Sequence, residues 1–255
     1  STQKVDQLFI EVFNDAKLVF EATNGAFDPT VAPVVNAWGF GFKNLENTDS
    51  TFINSLLQYV NFNTVTIKDS IVFKSNPNIM IDFNAIAQGY SVDIVIDFLK
   101  SKGIKNAIVE IGGELFALGK NTVENKDWVV GIDNPLQTPE ERKLIAKVNL
   151  ENLGMATSGN YRKVMVDKKT GEKFVHIINP KTGLSQKGNI LSATVLAKNT
   201  ALADGYATAF MVMTLEESKV FLQNHPELYV MLLYTDAENQ MQQYVTDNFK
   251  KLIIE

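Results

Sequence analysis

The sequence contains no cysteine, which excludes disulfide bonds, thiolate zinc sites and a cysteine nucleophile. Arginine and histidine are also scarce, because Arg142, Arg162, His176 and His225 are the only examples in 255 residues. Bidentate arginine clamps and histidine-rich metal sites are therefore nearly excluded. No apolar run approaches the ~18 residues that a membrane-spanning helix requires. Phosphate or metal chemistry must depend on carboxylates, hydroxyls, lysines and backbone groups.

A surplus of basic residues and the usual nucleotide fingerprints are missing as well. The 29 acidic and 24 basic side chains give a net charge of -5, the wrong sign for binding nucleic acid or an anionic membrane surface. Neither a Gly-x-Gly-x-x-Gly motif nor a P-loop occurs, so a Rossmann dinucleotide site has no support. We expect a globular protein without a nucleic-acid partner.

The spacing of apolar residues predicts a mixture of helices and strands. Helices are predicted over residues 5–20, 51–60, 87–102, 200–213 and 215–222, the last with a Thr214–Glu217 capping box. Strands are predicted over 64–67, 71–74, 79–83, 107–111, 115–118, 128–132, 144–148, 161–166, 190–196 and 229–234. Phe27 to Phe42 fits neither period and is interpreted as a structured aromatic loop. The irregular order predicts an α+β fold of mixed sheets and packed helices.

Two four-residue segments resemble each other. Ala87-Gln88-Gly89-Tyr90 and Ala203-Asp204-Gly205-Tyr206 are each expected to open a helix that leads into a strand. The similarity indicates either a weak internal duplication or coincidence. No linker rich in glycine, serine or proline divides the chain, so one domain over residues 1–255 is expected.

Asp204 and Thr208 are candidate metal ligands. Their i to i+4 spacing places a carboxylate and a hydroxyl on one face of a helix. Both are hard oxygen ligands of the kind that Mg²⁺ takes. The alternative is structural: an aspartate favoured by the helix dipole and a threonine bonded to its own backbone.

Two turns are candidates for phosphate binding. The Gly112-Gly113 pair would let backbone N–H groups approach an anion closely, or would simply form a tight turn. Thr157 to Lys163 begins as a hydroxyl-rich turn and ends with two cations, Arg162 and Lys163. That segment could grip phosphate or form a Ser-Gly-Asn hairpin turn.

His176 is a candidate general base, since it is expected on an apolar strand just before a Pro-Lys-Thr-Gly turn. A hydrogen-bonded structural histidine is the alternative. Trp38 with Phe27, Phe40 and Phe42 could wall a flat ring system, or these rings could cover the core.

Taken together and in order, these motifs resemble the ApbE family, the FAD:protein FMN transferases of bacterial envelopes. The matching stretches are Gly25–Thr30, Trp38–Gly41, Asp82–Asp93, Val109–Glu114, Thr157–Lys163, His176–Gly183 and Ala203–Thr208. The resemblance implies a single ApbE-like domain that transfers FMN from FAD to a threonine or serine hydroxyl of a target protein and releases AMP.

The resemblance also implies roles for particular residues. Magnesium would be held by Asp204, Thr208 and the backbone carbonyl of Ala85, and His176 would activate the incoming hydroxyl. FAD would be the substrate, and its contacts would fall on Ala26, Phe27, Asp28, Asp82, Gln88 and Ile177, with Gly112, Gly113, Ser158 and Gly159 close to the nucleotide.

The sequence differs from its relatives in two respects. The strand with a Met-Gly-Thr motif and the Tyr/Ser-rich segment that usually precede the first helix have no match here. Many relatives also carry a charged residue where Gln88 stands. We therefore expect a form that lacks the usual N-terminal segment.

Two other functions use the same residues. One is a magnesium-dependent FAD pyrophosphatase that yields FMN and AMP, and the other is a flavin-binding protein without catalysis. A periplasmic location in the bacterial envelope is expected by resemblance alone. Membrane contact would depend on a lipid anchor whose cysteine is not in this chain.

Overall fold

The computed structural model describes residues 2–41, 49–137, 143–160, 164–166, 173–185 and 188–254. The helices are α1 (Gln7–Ala22), α2 (Ala32–Ala37), α3 (Ser50–Leu56), α4 (Ala87–Ser101), α5 (Thr200–Val212), α6 (Leu215–Gln223) and α7 (Asp247–Lys250). The strands are β1 (Thr2–Lys4), β2 (Val65–Lys68), β3 (Ile71–Lys74), β4 (Ala107–Ile111), β5 (Glu114–Leu118), β6 (Trp128–Asp133), β7 (Leu144–Leu150), β8 (Leu153–Gly159), β9 (Val164–Val166), β10 (Lys173–Val175), β11 (Ile190–Ala197), β12 (Tyr229–Thr235), β13 (Met241–Val245) and β14 (Ile253–Ile254).

The contacts divide the chain into two compact units. The first unit comprises residues 1–85 and 163–187, and the second comprises residues 86–162 and 188–255. A single family domain over residues 1–255 stays a prediction. No helix in the described part of the chain has both the length and the hydropathy that a membrane span requires.

The first unit is built around α1 and the buried ring of Phe62. The side chain of Asp6 caps α1 by accepting a hydrogen bond from the Phe9 amide, and Gly25, with φ of +77°, ends the segment as predicted. Phe13 and Phe20 on the buried face of α1 pack against Phe62, with ring centroids 4.8 and 5.8 Å apart. The adjoining sheet has the antiparallel order β1-β3-β2.

The aromatic segment after α1 is helical where a loop was predicted. A 3₁₀ turn at Pro29–Val31 leads into α2, and each helix has a proline in its first turn. Proline is tolerated there because the first-turn N–H groups have no intrahelical partner. Trp38 is buried and its Nε1 donates to the Gly183 carbonyl at 2.7 Å, which supports its interpretation as core cover. Phe42 lies outside the described residues.

The strand predicted at residues 79–83 does not form. Apolar residues at Ile79 and Ile81 resemble a strand, but the Asp82 amide donates to the Pro29 carbonyl instead of to a ladder. This bond attaches the segment to the 3₁₀ turn. The strand prediction was therefore wrong.

The second unit contains an antiparallel six-stranded sheet with the order β13-β12-β11-β8-β5-β4. Strand β5, next to the edge strand β4, is buried along its whole length. Leu115 and Ala117 face a core shared with β6 and β7, whereas Phe116 and Leu118 pack against Val92 and Ile96 of α4. The remaining strands form a separate sheet with the order β14-β7-β6.

Strand β8 was missed from the sequence, which predicted a hydroxyl-rich turn from Thr157. It pairs with β11 and β5, so tertiary pairing outweighs the turn-forming residues at its end. Gly154 is needed within it, because a methyl group there would lie 2.7 Å from the Thr200 Cα at the start of α5. Tyr161 to Lys163 of the predicted turn lie outside the described residues.

The two similar segments occupy different places in their helices. Ala87 begins α4, which leads to β4 as predicted, whereas Ala203 is already the fourth residue of α5, which leads to α6. The expectation that both segments open a helix is therefore wrong for Ala203–Tyr206, and a duplication stays a prediction. The capping box of α6 is confirmed, with the Thr214 and Glu217 side chains bonded to each other's backbone amides.

Candidate active site

His176 was predicted to lie on a strand. It lies immediately after β10 instead. It is half-buried, and its ring meets the Phe40 ring edge-on at a centroid distance of 6.5 Å. The next residue, Ile177, is buried, and Ile178 forms a bridge with Ser185. The imidazole is therefore followed directly by a buried segment that is paired through Ile178.

The turn after His176 is closed by its own polar groups. The Asn179 side chain accepts from the Lys181 amide at 2.9 Å, and the Gly183 amide donates to the Asn179 carbonyl at 2.8 Å. Gly183 has φ of +70°, a backbone conformation that glycine adopts without strain. The Pro-Lys-Thr-Gly turn expected from the sequence is thus present and held at both ends.

The other candidates in the first unit are Ala26, Phe27, Asp28, Asp82 and Ala85. Ala26, Phe27 and Asp28 are buried, and Asp28 Oδ1 accepts from the amide and hydroxyl of Thr30 at 2.8 and 2.6 Å. Burial raises the pKa of Asp28. The Asp82 carboxylate accepts from the Asn84 amide at 2.8 Å. Both aspartates therefore shape the backbone of their own segments.

In the second unit, Asp204 is a buried carboxylate on α5. Its Oδ2 accepts from the Gly89 amide at the start of α4, at 3.1 Å. Burial and the negative charge of Glu114 raise the pKa of Asp204 to about 7, and Asp93 acts in the same direction. A carboxylate kept in such surroundings is typical of a functional site, because it destabilises the fold when it is charged.

The raised pKa predicts a pH-dependent gain in stability for Asp204→Asn. In metal-free protein the folded state holds this proton up to about pH 7, whereas the unfolded chain loses it near the ordinary aspartate pKa of 3.8. The contribution of Asp204 to stability therefore falls as the pH rises between these two pKa values. Since one pKa unit corresponds to about 1.4 kcal/mol, the variant should be more stable by roughly 2 to 4 kcal/mol at pH 8 and little changed at pH 4. Urea unfolding with EDTA measures this.

The exposed Asp97 on α4 provides the matched control for that measurement. Its carboxylate is 3.3 Å from Lys100 Nζ in a solvent-exposed pair, so Asp97→Asn should leave stability nearly unchanged at both pH values. Equal stability of Asp204→Asn and the parent protein at pH 8 would contradict the assignment of a destabilising charge.

The Gly112-Gly113 pair forms a two-residue turn between β4 and β5. Both glycines have positive φ, +69° and +111°, and Ile111 pairs with Glu114 across the turn, which is the geometry of a tight hairpin. A methyl group at Gly112 would clash with Gln88 Nε2 and lie 3.4 Å from Glu114 Oε2. The turn therefore brings Gln88 next to Glu114.

Glu114 is the last residue of the Val109–Glu114 motif but was not predicted as a site residue. It is buried at the start of β5, directly after the glycine turn, and its charge acts on Asp204. An acidic residue that begins a strand of otherwise apolar residues is the signal that could have identified it. The second unit thus brings together Gln88, Gly112, Glu114 and Asp204.

Thr208 lies one turn after Asp204 and is the one residue of α5 that is not fully buried. Its hydroxyl is 3.4 Å from the Ser158 hydroxyl near the end of β8. The following Gly159 is buried, and the Asn160 amide donates to the Leu191 carbonyl on β11. The Asp204 carboxyl and the Thr208 hydroxyl therefore lie one turn apart on α5, and the Ser158 hydroxyl at the end of β8 lies next to Thr208.

The comparisons with known proteins agree with these motifs. The model of the ApbE family matches residues 1–232. The chain belongs to the ApbE family. An FAD:protein FMN transferase from Haemophilus influenzae is 34% identical over 250 residues, which are 96% of this chain and 70% of that protein. The Escherichia coli protein of the same name is 27% identical over 257 residues, 98% of this chain and 71% of that one.

Solved structures of ApbE proteins share the fold. Flavin transferase ApbE from Vibrio cholerae matches with a TM-score of 0.84 at 30% identity, over 99% of this chain and 79% of that chain. The ApbE protein from Thermotoga maritima matches with a TM-score of 0.86 at 26% identity, over 100% of this chain and 81% of that chain. The predicted α+β class is confirmed.

Proposed function

We propose that this ApbE-family protein transfers FMN from FAD to a threonine or serine hydroxyl of a target protein, with release of AMP and with Mg²⁺ as cofactor. The observation that carries the proposal is the buried side chain of Asp204, followed one turn later by the Thr208 hydroxyl. The negative charge of Glu114 destabilises the charged form of Asp204 and so raises its pKa. The names of the relatives support the same reaction.

The donor set fits magnesium better than a transition metal. No group of three or more histidine, aspartate or glutamate side chains suited to a metal occurs among the described residues. The hard oxygens of Asp204 and Thr208 remain as the ligands of the second unit. Bound Mg²⁺ would neutralise the charge that builds up on the pyrophosphate. A cation there would also relieve the repulsion between Asp204 and Glu114.

His176 acts on the acceptor in this proposal. The hydroxyl oxygen of the target attacks the FMN phosphorus of FAD, a new P–O bond forms, and the bond from that phosphorus to the AMP phosphate oxygen breaks. The hydroxyl proton passes to an imidazole nitrogen of His176, and AMP leaves with its phosphate charged. The support after β10 and the closed turn at Asn179 keep the ring oriented for this step.

AMP release from FAD tests the proposal against its alternatives. We expect AMP only when Mg²⁺ is present, and we expect covalent FMN on the acceptor domain. The acceptor should be a domain from a protein that carries phosphoester-linked FMN, produced without its flavin. AMP release without labelling would favour the pyrophosphatase. FAD binding without any AMP would favour a flavin-binding protein. The envelope location and a lipid anchor stay predictions from the resemblance.

A further inference from the structure

Helices α4 and α5 each place a carboxyl side chain at the N-terminal end of the other helix. The Gly89 amide of α4 donates to Asp204 Oδ2 of α5 at 3.1 Å. In return, the Thr200 and Ala201 amides of α5 donate to Asp93 Oδ1 and Oδ2 of α4, each at 2.8 Å. Each helix therefore supplies carboxyl oxygens as acceptors for first-turn backbone amides of the other helix, which lack an intrahelical partner.

The two contacts lie one helical turn apart on both helices. Residues 89 and 93 are four positions apart on α4, and residues 200 and 204 are four positions apart on α5. The backbones approach closely between them, because a methyl group at Gly89 would lie 2.9 Å from Asp204 Cβ and would clash with the Thr200 carbonyl. A shift of either helix would therefore break both contacts together.

The N-cap residue of α5, Asn199, satisfies amides within its own helix and does not connect α5 to α4. The Asn199 side chain accepts from the Leu202 amide at 3.1 Å, and the Ala203 amide donates to the Asn199 carbonyl at 3.3 Å. Asn199 adjoins α5 in sequence and moves with it, so it cannot fix α5 against another helix. Asp93 belongs to α4 and can.

We propose that Asp93 is a positioning residue for the reaction: it holds α5 in register with α4, so that Asp204 keeps its carboxylate at the start of α4. The structural part stands on the hydrogen bonds alone. The consequence for catalysis rests on the proposed function, because it requires Asp204 to take part in the reaction.

Amide hydrogen exchange of metal-free protein tests the structural part. In Asp93→Asn an NH₂ group replaces one of the two acceptor oxygens, so one of the bonds from the Thr200 and Ala201 amides is lost and the register loosens. We expect the Gly89 amide, which donates to Asp204 and not to the Asp93 side chain, to exchange about tenfold faster relative to Val195 in β11. Loss of about one hydrogen bond produces a change of this size. Asn199→Ala, which removes only the local cap, should leave this ratio within about twofold.

Gly89→Ala approaches the same contact from the other helix and serves if Asp93→Asn does not fold. It should accelerate exchange at Thr200 and Ala201, whose acceptor is Asp93. Unchanged Gly89 protection in Asp93→Asn, or equal loss in Asn199→Ala, would overturn the inference.

Calorimetric titration with MgCl₂ alone and steady-state AMP release test the consequence for catalysis. Asp93→Asn should weaken magnesium binding by about tenfold, as loss of an outer-shell partner does, and lower kcat while the KM for FAD changes little. Asn199→Ala and the surface variant Asp97→Asn should keep the parent affinity. If the parent protein neither binds Mg²⁺ nor releases AMP, the proposed function fails while the exchange experiment still decides the role of Asp93. An active parent with an unchanged Asp93→Asn affinity would overturn the inference alone.

Discussion

Asp204→Asn should lower magnesium-dependent AMP release by at least about 10²-fold, because outer-shell changes alone cost 10- to 100-fold at metal sites and this change removes the anionic ligand itself. Asparagine keeps the shape of the side chain and an oxygen that can accept from the Gly89 amide. The loss should therefore appear as weaker magnesium binding and lower kcat in a protein that is still folded.

The stability measurement separates this loss from unfolding. The same variant is expected to be more stable than the parent protein at pH 8 without metal, so an inactive and stabilised protein would identify a charge kept for function. Asp97→Asn provides the control with an exposed carboxylate on α4. Full magnesium-stimulated AMP release by Asp204→Asn would disprove the metal assignment.

His176→Ala should reduce FMN transfer by about 10² to 10⁴-fold, the usual contribution of a general base. The acid limb of the pH–rate profile should flatten, since protonation of this imidazole would no longer limit the rate. FAD affinity should change little, because the imidazole acts on the hydroxyl of the acceptor.

The other histidine of the sequence supplies the control. His225 stacks on the Phe221 ring at 4.1 Å and its Nδ1 is 2.9 Å from Glu227, so it has a structural environment of its own. His225→Gln should retain transfer and the acid limb. A parent-like transfer rate for His176→Ala would contradict the role of base.

The sequence predicts elements whose signals are local. The apolar face of α1, the glycine after it and the Thr214–Glu217 capping box all depend on neighbours within a few residues. Strand β8 and the segment at residues 79–83 depend on distant partners, namely β11 and the Pro29 carbonyl, which the sequence does not reveal. The segment that contains Pro29 and Pro33 was interpreted as a loop, because first-turn positions, where proline is tolerated, cannot be recognised before the helix itself is known.

The candidate site shows the same division. The spacing of Asp204 and Thr208 identifies a carboxylate and a hydroxyl on one helix face, and the structure places them there. The charge of Glu114 on Asp204 and the bonds of Asp93 to the start of α5 join residues about 90 or more positions apart. Periodicity carries no information about such pairs, so they had to be read from the structure.

The division of the chain into interleaved units affects the order of folding during synthesis. The first unit needs residues 163–187 in addition to residues 1–85, so the ribosome synthesises the whole first segment of the second unit, residues 86–162, before the first unit can close. The bond from Trp38 to the Gly183 carbonyl spans 145 positions. At a synthesis rate of about 5 to 20 residues per second, roughly 7 to 30 s pass between the synthesis of Trp38 and that of its acceptor Gly183. During that interval the indole N–H cannot make the hydrogen bond that it makes in the folded unit.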